Sequence, residues 1–119
     1  MTSEWITINL DVRAMPKAGW WSLLAVLIFN YAGDFLEVPV GTETDLASIP
    51  RILKSFVSVN GKHRRAAVLH DYLYENKMFT RKQCDEIFYV AMRECGMNKW
   101  GAKIMWRGVR MGGWTRGNW

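Results

Sequence analysis

The stretch "AVLHDYLYENKMFTRKQCDEIFYVAM", residues 67–92, carries two helical patterns separated by a short break. Around His70, the residues Ala66, Ala67, Leu73 and Tyr74 recur at three- and four-residue spacing, which gathers them on one helix face. Beyond the break, Cys84, Ile87, Phe88, Ala91, Met92 and Cys95 form a second stripe, with Asp85 at its border. Thr80 and Gln83 fit a capping box, and Gly96 supplies a stop. The sequence therefore predicts helices over 63–76 and about 81–95. The connection at 77–80 is short, so the two helices run antiparallel as neighbours. At ~1.5 Å per residue, His70 and Asp85 then sit nearly level across the hairpin.

Downstream, Asn98 is placed to cap a third helix ending at Gly112-Gly113. Trp100, Ile104, Gly108 and Met111 are read as its apolar face, with a basic stripe beside them. Upstream, "WITINLDVR" (5–13) alternates apolar and polar side chains and reads as a strand, broken by Pro16 and Gly19. Residues 23–31 and 35–40 read as paired strands around the Ala-Gly-Asp turn, with Pro39 near a strand end. A helix over 20–29 is the competing reading of that apolar run. "GTETDLASIPR" (41–51) reads as a loop in which Asp45 and Ser48 cap a short helical turn, with Pro50 near its start. An Asn60-Gly61 turn follows. The expected fold is α+β in one domain: an N-terminal antiparallel β-meander (1–40), a loop with a helical turn (41–62), a three-helix C-terminal half (63–112) and an exposed tail (113–119).

The net charge of +5 is unevenly placed, because all 11 acidic residues and only 11 of the 16 basic ones occur by Glu94. The excess comes from Lys99, Lys103, Arg107, Arg110 and Arg116. Such a stripe either meets an anionic surface or acidic partner, or is simply a solvated helix face. Cys84 and Cys95, 11 residues apart on one helix, lie too far apart to bridge and suit a reducing interior. The start "MTSEWITINLDVR" lacks the basic and apolar blocks of a secretory signal. The longest apolar run, "LLAVLIF" (23–29), is shorter than the ~20 residues of a membrane-spanning helix.

An aspartate level with a histidine holds one ring nitrogen and leaves the other to act as a general base. Asp71 points about 100° around the helix from His70, toward the loop where Glu43 and Asp45 offer oxygen ligands for a hard cation such as calcium. Zinc fits less well, lacking a Cys pair or a second well-spaced histidine. His63 belongs to a basic helix start and faces solvent in this reading. The same residues read equally well as a hydrogen-bonded pin of His70, Asp85 and Tyr74 between two helices, with no chemistry attached.

Two motifs, "VPVGTETDLASIPR" (38–51) and "AAVLHDYLYENKMFTRKQCDEIFYVAM" (66–92), resemble an uncharacterised bacteriophage and prophage family with a T-D-L-A-S-x-P-R loop and an L-H-D-x-L-Y helix. The resemblance spans roughly residues 20–111 and makes Thr44, Ser48, Pro50 and Arg51 residues of its structural loop. It implies a phage-encoded protein of the bacterial host cytoplasm or the virion and carries no established activity. Locally, His70-Asp71-x-x-Tyr74 with a later Asp85 is similar to the active-site helices of secreted phospholipases A2. That similarity implies His70 as base, Asp71 as calcium ligand, and Tyr74 and Asp85 as supports. The chain departs from those enzymes in lacking their Gly-rich calcium loop and disulfides and in adding a strand-rich front half.

Two functions follow as expectations. One is a metal-assisted ester hydrolase, with phospholipid as first substrate and an anionic membrane surface as a partner of the basic, Trp-rich end. The other is a virion, assembly or host-factor-binding protein whose interface includes Lys99, Lys103, Arg107, Arg110, Trp114 and Trp119. Nucleic acid ranks below both, since no recognised binding module accompanies the basic stripe.

Overall fold

Among the described residues of the second half of the chain there are three helices: α1 (Arg64–Asn76), α2 (Arg81–Glu94) and α3 (Lys99–Gly112). The computed structural model describes residues 2–44 and 64–112. The helical turn expected near Ser48 and Pro50, the Asn60-Gly61 turn, Asp45, Arg51, His63, Trp114, Arg116 and Trp119 lie outside the described residues.

The helix ends are chemically specified. Thr80 Oγ accepts from the Gln83 amide at 3.1 Å, and the Gln83 side chain accepts from the Thr80 amide at 3.0 Å, closing the capping box of α2. Thr80→Ala removes that acceptor and is expected to cost about 1 kcal/mol, read as a lower urea midpoint with unchanged slope. At the other end Gly96 takes φ +89°, while the Met97 amide donates to Met92 O and the Gly96 amide to Arg93 O. This is a Schellman stop, and the left-handed backbone is why glycine stands there. Asn98 caps α3 by accepting from the Gly101 amide at 2.7 Å.

Among the described residues, six antiparallel strands precede the helices: β1 (Glu4–Trp5), β2 (Val12–Ala14), β3 (Trp21–Leu23), β4 (Leu27–Tyr31), β5 (Asp34–Val38) and β6 (Glu43–Thr44). They form two three-stranded sheets, ordered β1-β4-β5 and β2-β3-β6. The fold is α+β. The β4–β5 hairpin turns through Ala32 and Gly33, both at positive φ, in the two-residue geometry that matches strand twist. It replaces the competing helix over 20–29, and β5 ends just before Pro39.

The single strand expected over 5–13 is instead split between the two sheets. Thr7 is the reason. Its hydroxyl accepts from the Ile28 amide at 2.9 Å and donates to Val26 O at 3.1 Å, while the Ile6 and Thr7 amides both donate to Ile28 O, so the regular ladder ends here. The chain then departs to pair β2 with β3, leaving Ile8 exposed. Thr44 also corrects the reading of 41–51 as loop throughout, because Glu43–Thr44 pairs with Ser22 and Trp21 and Thr44 is buried.

One core joins sheets and helices: Trp5, Leu27, Phe29, Leu36 and Val38 pack with Leu69, Leu73, Ile87, Phe88 and Met92. The expected apolar face of α3 is overturned. Trp100 and Met111 are 74% and 75% exposed, whereas Ala102 and Met105 are buried and Val109 packs beside them. Both stripes have helical spacing, and they lie roughly 140° apart on the helix. Ala102, fully buried, leaves little between the α3 backbone and its neighbours, a close approach that Trp100 would prevent. No described helix is long and apolar enough to cross a membrane.

Candidate active site

His70 and Tyr74 stand four residues apart on α1, so they share one face, and Asp85 projects from α2 to meet both. His70 Nε2 lies 2.8 Å from Asp85 Oδ1, and the Tyr74 hydroxyl donates to the same oxygen at 2.5 Å. Arg110 of α3 donates through Nη1 to Oδ2 at 3.0 Å. Asp85 is fully buried, while His70 is 5% exposed, with its ring between Tyr74 and Phe88 at centroid distances of 4.2 and 4.6 Å.

The electrostatics follow from this enclosure. Burial alone would raise the Asp85 pKa, but the hydrogen bonds from His70 and Tyr74, with the His70 charge and the Arg110 guanidinium, hold the carboxyl below its ordinary value. Burial, then the bond to Asp85, pushes the Tyr74 hydroxyl well above its ordinary pKa, so it stays a neutral donor. An ionised carboxylate is acceptor-only, which places an imidazole proton on Nε2. Cys84, next to Asp85, is pushed up to about 11 by burial and then by the carboxylate charge, so its thiol is no nucleophile.

Of the remaining site residues, Asp71 is half-buried one position beyond His70. Among the described residues no group of three His, Cys, Asp or Glu side chains is placed to hold a metal ion. Lys99, Lys103 and Arg107 are exposed on α3, but Arg110 leaves their stripe and turns inward to Asp85. Removing a buried carboxylate from water demands a paired cation, and Arg110 supplies it. Sequence reasoning also passed over Arg81, a buried arginine four residues before Asp85 that donates to Arg110 O at 3.2 Å. An arginine four residues before an aspartate beside the apolar stripe of α2 was the available signal for a carboxylate cluster.

The model of a family described as "Protein of unknown function (DUF1353)" matches residues 11–109. The chain belongs to the DUF1353 family. This DUF1353 chain is 39% identical over 82 residues to the uncharacterized protein y4jT of Sinorhizobium fredii, covering 66% of the chain and 24% of that protein. It is 37% identical over 70 residues to the uncharacterized protein y4iH of the same bacterium, covering 57% of the chain and 29% of that protein. The aligned part is thus about a quarter of each relative. No solved structure matches it significantly.

Proposed function

We propose that this DUF1353 chain is a phage- or prophage-encoded ester hydrolase whose general base is His70. The observation carrying this reading is the single oxygen of Asp85 that engages both His70 Nε2 and the Tyr74 hydroxyl. A histidine fixed this way has one tautomer and one orientation, and its imidazolium is stabilised by an adjacent anion. The local similarity to phospholipase A2 helices supports the same roles. In the reaction, the His70 ring takes a proton from water as the water oxygen attacks the ester carbonyl carbon. The carbon–oxygen bond to the alcohol then breaks, and the imidazolium returns its proton to the departing oxygen.

Asp71 and Asp45 are the carboxylates this reading gives to a divalent cation such as calcium. The described residues alone do not make a cation site, so the proton transfers are assigned to the chain's own groups. The bacterial host cytoplasm or the virion is the proposed place of action, with phospholipid the first substrate to try.

The second reading is a non-catalytic virion, assembly or host-binding protein, favoured by the near-complete burial of His70 and by Arg110 clamping the carboxylate. One comparison separates the two. Wild type and His70→Ala, both shown folded by circular dichroism, are assayed on anionic phospholipid vesicles and soluble esters, with calcium and with chelator. Loss of turnover by roughly 10²–10⁴-fold in the variant is expected. Equal background turnover in both proteins overturns the hydrolase reading.

A further inference from the structure

A concavity lies apart from the dyad, where the outer seams of α2 and α3 meet the end of β4. Its volume is about 420 Å³, and its lining is Tyr31, Glu86, Tyr89, Val90, Lys99, Lys103 and Trp106. Glu86, Tyr89 and Val90 share one stripe of α2, while Lys99, Lys103 and Trp106 follow helical spacing on α3. Tyr31, Tyr89 and Val90 pack against the core from one side, so the apolar floor is supported by the fold. The volume falls in the range of small-ligand sites.

The charges select the ligand. Two ammonium groups and one carboxylate border an aromatic and aliphatic floor, leaving one positive charge uncompensated. We propose that this groove binds a small amphiphilic monocarboxylate, its apolar body against Tyr31, Tyr89, Val90 and Trp106 and its carboxylate between Lys99 and Lys103. A dianion would meet Glu86 in excess, and a cation would meet both lysines. The long lysine stems add apolar cover while their heads reach the anion. This site is independent of the hydrolase reading, since neither its residues nor its test involves His70.

Decanoate, whose twelve heavy atoms suit the cavity, is the probe, titrated below micelle formation by calorimetry and by amide chemical shifts. Saturable one-to-one binding is expected, with shifts centred on 86–90 and 99–106. Lys103→Met keeps the stem without the charge and is expected to weaken binding at least roughly tenfold, the loss of one charge-assisted contact. Val90→Trp fills the floor and abolishes binding, whereas Arg107→Met, an exposed α3 cation outside the groove, leaves it unchanged. Absence of saturable binding, equal affinity for decanol, or an unchanged Lys103→Met overturns the proposal. So does Lys103-dependent capture by phosphatidylglycerol vesicles without decanoate binding, which assigns the lysines to a lipid surface instead.

Discussion

Asp85→Ala is expected to lower the unfolding free energy by about 3 kcal/mol, the cost of breaking a buried ion pair from one side. The carboxylate is fully buried and accepts from three side chains on two other helices. Its removal takes the shared acceptor from the buried Tyr74 hydroxyl and the His70 ring, and a desolvated donor that loses an acceptor is costly. Arg110 suffers less, because 30% of its side chain already reaches solvent. Asp85→Asn separates shape from charge: its oxygen still accepts, but it neither balances Arg110 nor stabilises an imidazolium. A smaller loss of stability combined with a large loss of turnover is the signature of catalysis. Parallel losses in both variants are the signature of a pin.

The pH dependence carries the same test with a definite sign. The folded Asp85 pKa lies below the ordinary carboxylate value of about 3.9, so just below that value the unfolded chain binds more protons than the native one. The stabilisation is complete above about pH 4 and is lost as pH falls through the folded value. Urea midpoints taken from pH 6 downward should fall in acid for the wild type, and the Asp85 contribution to that fall should be absent from Asp85→Asn. An identical acid dependence in the two proteins contradicts the pairing of Asp85 with His70, Tyr74 and Arg110.

The helical half was legible because its signals are local. Capping side chains, a left-handed glycine and three- to four-residue spacing act within one turn, and the level placement of His70 and Asp85 follows from rise per residue. The strand half resisted because pairing is non-local. Nothing in "WITINLDVR" reveals that Thr7 will satisfy Ile28 and release the chain into a second sheet. The face of α3 was lost for a related reason, since two apolar stripes compete and the choice rests on Ala102 and Arg110 meeting other helices. Arg110 looked like one more cation of a surface stripe. Only the buried carboxylate opposite it distinguishes the two environments.

Trp5→Ala is expected to cost 3–5 kcal/mol, roughly, and to act on both halves of the molecule at once. β1 is two residues long, pairing Glu4 with Asn30 and Trp5 with Phe29, so its backbone ladder alone is a weak attachment. The indole supplies the rest. Its N–H donates to Ala91 O of α2 at 3.0 Å, its ring lies 4.7 Å from Phe29, and the Arg65 guanidinium of α1 sits 4.8 Å over it. Arg65 in turn donates to Thr7 O at 2.7 Å, so truncation also loosens the point where the strand changes sheet. Trp5→Phe keeps an aromatic body and loses the donor, while Ala91 O retains the Cys95 amide at 3.1 Å. That variant is expected to cost about 1–2 kcal/mol, mostly a single hydrogen bond and some packing. A stable domain has a total of about 5–15 kcal/mol, so the alanine variant approaches the limit of folding and the phenylalanine variant does not. Urea unfolding followed by far-ultraviolet circular dichroism and by amide exchange at Ile28 and Asn30 reads both. Faster exchange in β4 with an unmoved global midpoint would mean that Trp5 fastens only the edge strand, rather than joining the sheet to α2.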